Sequence, residues 1–242
     1  MTQRQTHYPG YNVLDKSATP SWDDPTRAIM SERLSTPQTP RFFHPQAWQD
    51  VLALCRCVVP QADHNPMVPL AQMLDAMLIA GIRDGYRDVR MPPPDEAWRI
   101  GTTALDAEAK RASTMPFADL DHASQMALLN EMQQGKLSDA AWQKMPPALF
   151  FSSRVLHDIC SAYYSHPHSW SEIGFGGPAN PRGYVRLNLD RQDPWEASEV
   201  KPTPTDSPNQ VSPPLATSLT SPLSKAKEHV VTLLRKETPR VR

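Results

Sequence analysis

Glycine is scarce in this sequence. There are nine in 242 residues, about half of the roughly 7% that an average protein carries. The shortage excludes a collagen-like repeat, which needs glycine at every third position. It also argues against an enzyme built on glycine-rich, phosphate-cradling loops. Cysteine is rarer still. Three cysteines cannot make a disulfide scaffold, and they lack zinc-finger or zinc-ribbon spacing. An excess of either charge is also missing. Lys and Arg number 25 against 26 Asp and Glu, a formal net charge of −1, so the bulk charge gives no sign of nucleic-acid binding. The most apolar stretch, Val68 to Ile82, is broken by Gln72 and Asp75. It falls short of the roughly 20 residues that a membrane-spanning helix needs. The start, MTQRQTHYPGY, has neither a basic-then-apolar leader nor an Arg-Arg pair, so the expectation is of a chain made in the cytoplasm.

Proline is what the chain has in excess: 26 residues, about double the usual share of roughly 5%. Five lie before residue 41 and seven after residue 195. The late group sits among Ser, Thr and Gln, a composition with too little apolar surface to fold by itself. The other prolines punctuate apolar runs, and those runs read as helices. Pro45 suits a first helical position, and Ala47, Trp48, Val51, Leu52, Cys55, Val58 and Val59 follow at helical spacing until Pro60. Leu70, Met73, Leu74, Met77, Leu78, Ile82 and Tyr86 predict a second helix over about 69–88. A weaker helix over about 95–112 presents Trp98 and Leu105. Asp121 caps a run bearing Met126, Leu129 and Met132, which Gly135 stops. A short helix is expected over 138–144. A last one over about 147–164 carries Phe150, Phe151, Val155, Leu156, Ile159, Cys160 and Tyr163. Only Tyr184 to Leu189 looks like a strand. The expectation is an all-α fold, a small helical domain of about five to six helices with an irregular aromatic and glycine loop and extended N- and C-terminal arms. Residues 1–40 form an arm with a short helix capped by Asp24, striped with Ile29, Met30 and Leu34. Residues 41–195 form the helical domain, and 196–242 a Pro/Ser/Thr-rich tail, expected to be disordered. The tail ends basic, with six basic and two acidic residues over 225–242.

Chemistry-bearing residues are thinly spread. Gly174-Phe175-Gly176-Gly177 follows a helix rather than a strand, so it is a packed loop and not a nucleotide cradle. There is no Gly-x-Ser-x-Gly elbow. Asp75, Asp84 and Asp88 read as a solvated helix face. Cys55 and Cys57 point to roughly opposite sides of their helix, Cys55 inward. Met73, Met77, Met126 and Met132 read as core filler. His157, His166 and His168, with Cys160 and Asp158 nearby, admit an alternative reading as an independent metal- or redox-binding site. That reading needs three or four converging ligands.

Residues 163–184 stand apart. They read YYSHPHSWSEIGFGGPANPRGY and hold four of the nine glycines among five large aromatics. The tyrosine pair Tyr163-Tyr164, the Ile173-Gly174-Phe175-Gly176-Gly177-Pro178 loop, Pro181-Arg182-Gly183-Tyr184 and Asp193-Pro194-Trp195 resemble the signature of the gluconate 2-dehydrogenase subunit 3 family. Phe42-Phe43-His44-Pro45, Val58-Val59-Pro60, Gly85-Tyr86 and Pro116-Phe117-Ala118-Asp119-Leu120 add a more diffuse likeness. So do Pro20-Ser21-Trp22-Asp23 and Arg27 in the arm.

The resemblance implies a non-catalytic small subunit that binds no cofactor itself. It would stabilise or mature a large FAD-dependent dehydrogenase of the glucose-methanol-choline class that oxidises a sugar, sugar acid or related alcohol. Such complexes often include a cytochrome c subunit carrying haem c. Many members carry a twin-arginine leader. This chain shows none, so a periplasmic or membrane-associated place would come through its partner. Aromatics dominate interface hot spots. The expected partner contacts are therefore Trp22, Tyr163, Tyr164, Trp170, Ile173, Gly174, Phe175, Gly176, Pro178, Gly183 and Tyr184. Arg182 would add a charge-assisted bond.

Overall fold

The computed structural model describes residues 8–61, 66–83, 85–178 and 193–199. The expected strand at 184–189, the contacts Arg182, Gly183 and Tyr184, and the tail beyond 199 lie outside the described residues. Among those described there is no strand. The α-helices are α1 (Asp24–Leu34), α2 (Pro45–Val58), α3 (Leu70–Ile79), α4 (Pro94–Ser113), α5 (His122–Gln133), α6 (Pro147–Phe150), α7 (His157–Ser165) and α8 (Pro167–Ile173). The all-α expectation therefore holds.

Helix α4 is the centre of the fold, not its weakest member. Its inward face sets Trp98, Gly101, Ala104, Leu105 and Ala109 against α2, α6 and the single turn Ala140–Trp142. The Trp98 indole meets the rings of Phe43 and Phe150 edge-on, at 6.0 and 5.4 Å between centroids. Such T-shaped pairs place a positive ring edge on a negative ring face. Phe150 lies so close to α4 that a Cβ on Gly101 would sit 2.1 Å from its Cζ. Only glycine admits that ring here.

Helices α6 and α7 form one rod joined by a π-helical segment, Phe151–Leu156. A widened turn shifts the side-chain register. Here it lets the adjacent Phe150 and Phe151 both point inward, with Val155 and Leu156 following.

Several helix ends differ from expectation. Helix α3 stops at Ile79 and does not reach residue 88. Gly81 takes the left-handed conformation (φ +64°), Ile82 N–H donates to Met77 O at 3.2 Å, and Gly81 N–H donates to Leu78 O at 3.2 Å. This is the Schellman arrangement, which satisfies the last carbonyls. Gly135 ends α5 the same way, as expected, with Lys136 N–H on Glu131 O. The short helix expected over 138–144 is reduced to Ala140–Trp142, because Gln143 and Lys144 both adopt positive φ. The cap of α1 is Asp23, one residue before Asp24; its carboxylate accepts the Thr26 amide at 2.9 Å. Of the α1 stripe only Met30 is buried, while Ile29 and Leu34 stay exposed. Cys57 is as buried as Cys55 rather than outward. Burial pushes its thiol up to about 11, and that of Cys55 up to about 12.

Asp75 is not part of a solvated face. It is buried, and its carboxylate accepts the backbone amides of Arg41, Phe42 and Phe43 at 2.9, 2.9 and 3.1 Å. Glu108, equally buried, accepts the amides of Ser138 and Asp139 at 2.8 Å and the Trp142 indole at 3.1 Å, and pairs with Arg111. Asp158 accepts the Trp98 indole at 2.7 Å. Asp75 and Glu108 thus hold connecting segments, and Asp158 ties α7 to α4, by charge-assisted hydrogen bonds.

Candidate functional site

The region expected to be an irregular loop contains α8. His166 caps it, its Nδ1 accepting the His168 amide at 3.3 Å; Pro167 is the first residue, and Gly174 at φ +67° ends it. The signals were standard ones: a polar cap, a proline at the start and a glycine at the stop. Seven residues are too few for a periodic stripe to declare itself.

The arm folds onto this helix. Val13, Trp22, Met30 and Trp170 form one buried cluster, with Tyr11 and Leu14 packed on its edge. The Trp170 indole donates to Tyr164 O, and its ring meets Phe175 edge-on at 5.2 Å. Arg33 lies over the same indole, 5.4 Å from its centroid, and donates to Ser165 O. A short 3-10 helix, Val13–Ala18, begins where the Val13 amide donates to Ser171 Oγ at 3.1 Å. Lys16 is buried within it, and its ammonium reaches Glu196 Oε1 at 2.7 Å. Tyr11 OH donates to Phe175 O at 3.2 Å. Tyr8 covers Gly174 so closely that a Cβ there would sit 2.5 Å from its Cζ. At Gly177 a Cβ would make only ordinary contacts with the Trp170 ring and Val13; its left-handed φ of +84° is what favours glycine.

The expected contact residues take different places in this geometry. Trp22 and Trp170 are buried against the same small core, and Tyr163 is buried with its hydroxyl donating to Glu172 at 2.7 Å. Gly176 is buried, while Tyr164 and Pro178 are half-buried. Among the described members of the set, only Ile173 and Phe175 present large exposed apolar surface. Of the expected contacts, Trp22 and Trp170 thus share one core between the arm and α8.

The histidines separate. His166 and His168 rings lie 4.7 Å apart, whereas His157 turns its Nδ1 to Asp158 at 2.9 Å. Burial, then the neighbouring His168 and Arg33, push His166 down to about 4, so it is neutral near pH 7. Burial also lowers His168. Trp22 Nε1 and His168 Nδ1 are buried without a hydrogen-bond partner among the described residues. Among those residues no three His, Cys, Asp or Glu side chains converge as a metal-ligand set.

A pair of acids missed by sequence reasoning lies between α2 and α4. Asp50 accepts the Ala118 amide and Asp106 the Phe117 amide, both at 3.1 Å, and Lys110 reaches Asp106 at 2.6 Å. Burial, then the like charge of Asp106, push Asp50 up to about 7. These acids clamp the Phe117–Asp119 turn to the two helices. They are 56 residues apart in the chain, so no local signal announces them.

A family model described as gluconate 2-dehydrogenase subunit 3 matches residues 45–177, more than half of the chain. The chain belongs to this family. Membership makes it a subunit of a dehydrogenase complex. Searches of curated proteins and of solved structures return no match. The matched region begins at Pro45 and ends at Gly177, so the arm that covers α8 lies outside it. Among the described residues no helix is long and apolar enough to cross a membrane.

Proposed function

We propose that this chain is the non-catalytic small subunit of a complex whose large subunit is an FAD-dependent dehydrogenase of the glucose-methanol-choline class. Its role is to bind that subunit and stabilise or mature it. FAD and the oxidation of a sugar, sugar acid or related alcohol belong to the partner, with haem c in a cytochrome subunit where the complex has one. The family match is the observation that carries this reading. The use of the buried polar groups agrees with it: Asp75, Asp106, Glu108 and Asp158 are engaged with backbone amides, indoles and basic side chains of the scaffold.

Co-expression tests the reading. A tagged full-length chain should retain a flavoprotein from its native cells, recognised by mass spectrometry and by flavin released on denaturation. Without this chain the flavoprotein should accumulate less or lose FAD. A wild-type chain that retains no flavoprotein, beside a flavoprotein that folds equally well alone, rejects the proposal.

A further inference from the structure

The Schellman turn at Gly81 releases the chain from α3 into a loop that runs to Met91. Ten large apolar residues are exposed among those described, and four of them fall between residues 79 and 89. Ile79 is 46% exposed, Ile82 61%, Tyr86 85% and Val89 95%. Scattered exposed apolar residues need no explanation, but so many within one short segment, beside polar ones, point to a contact surface. Beneath the loop lies an open cleft of about 420 Å³, lined by Arg83, Tyr86, Arg87, Met91, Leu149 and Arg154 among others.

Among the described residues the charges lining the cleft are unequal: three guanidiniums against one carboxylate, Asp88, while Asp84 of the same loop lies outside the described residues. Arg90 already grips both Asp88 oxygens, at 3.0 and 2.8 Å, and holds that carboxyl down at about 2. Arg83 leans on Asp95 at 3.4 Å, and Arg154 on the buried Asp158 at 3.5 Å. Arg87 is exposed and makes no ion pair among the described residues. Tyrosine and arginine side by side, with aliphatic neighbours, are the residue types that dominate interface hot spots.

Resting on the subunit reading above, we infer that the 79–91 face is the docking surface for the large subunit, and that it receives an acidic residue flanked by apolar side chains. The carboxylate meets Arg87, with Arg83 beside it, while Tyr86, Val89 and Ile82 cover the apolar neighbours. Two other occupants fit less well. The chain's own terminus carries six basic and two acidic residues over 225–242, the same sign as the cleft. A second copy docked through a two-fold axis would set Arg87 faces against each other, and like charges across an interface oppose association.

The test uses the co-expressed complex and the full chain. Two variants attack different halves of the surface: Arg87→Glu reverses the free charge, and the double variant Tyr86→Ser/Val89→Ser removes the apolar cover. Ile29→Ser, an exposed apolar position on α1, is the control. Each test variant should weaken flavoprotein binding by about 30-fold or more, the scale of a hot-spot loss, and the control should bind as wild type does. Arg87→Glu should also flatten the salt dependence of the affinity. A flavoprotein bound equally well by wild type and both variants overturns this surface and leaves the subunit reading standing. No flavoprotein bound by wild type overturns both. Concentration-dependent dimers that both variants abolish would make the face a contact between copies, which also overturns it.

Discussion

Two regions of this molecule set an aromatic side chain beside an arginine, and they use the pair in opposite ways. Around α8, Trp170 and Tyr163 face inward, and the chain supplies the covering surface with Trp22, Val13 and Met30 from its own arm. Around the 79–91 loop, Tyr86 and Val89 face outward with nothing described over them. Composition shows that a segment packs against something. It does not distinguish a distant part of the same chain from another molecule.

The largest effect is expected at Trp170. Trp170→Ala removes the ring on which the arm rests, and such truncations cost about 3–5 kcal/mol. Chemical denaturation should show that loss, and limited proteolysis should cut the released arm between residues 8 and 34. An arm that stays protected would mean that Trp22 and Val13 hold without their central contact, and the contrast between the regions would weaken.

Lys16→Ala comes next. It leaves Glu196 without its ammonium partner, which is 1% exposed. Removing one member of a buried pair costs about 3–5 kcal/mol. Glu196 keeps 16% exposure and can regain water, so about 2 kcal/mol is expected here. Urea midpoints of wild type and variant check it.

The same contrast explains what was legible beforehand. Helix α2 was clear because Pro45 and Pro60 punctuate it locally. The end of α3 was not, because Ile82 and Tyr86 continue the apolar period past Gly81, and periodicity outvoted a single glycine. Asp75 looked solvated because its three amide partners lie more than 30 residues earlier in the chain. The family signature was visible in the glycines of 174–177. Their local cause, the positive φ of Gly174 and Gly177 and the close approach of Tyr8 to Gly174, needed the folded chain.

Acid should distinguish the arm from the α2–α4 contact. His166 is held at about 4 when folded, against roughly 6.5 for an unperturbed histidine. Its contribution is therefore present above about pH 6.5 and is lost as pH falls towards 4. His168, also lowered, acts in the same direction. Asp50 is raised to about 7 when folded, from roughly 3.9 in the unfolded chain. Its contribution is present at low pH and is lost as pH rises from about 4 to 7. Hydrogen exchange should therefore show arm amides such as Val13 losing protection in acid. Asp50→Asn should stabilise the chain at pH 8, with the gain fading below about pH 5. His166→Asn, which keeps a capping side chain, should remove most of the arm's acid sensitivity. A gain from Asp50→Asn that is the same at pH 8 and pH 5 would mean that the carboxyl is not protonated near neutrality.

The smallest effect on the isolated chain is expected where the effect on assembly is largest. Tyr86→Ser and Val89→Ser remove residues that the fold hardly buries, and surface changes of this kind stay within about 0.5 kcal/mol. Melting of the purified chain should leave both variants beside wild type, in contrast to Trp170→Ala. If Tyr86→Ser instead lowers stability by more than about 1 kcal/mol, the tyrosine is packing against its own chain in solution. The outward region would then be a second version of the inward one, with its covering segment still to be found in this sequence.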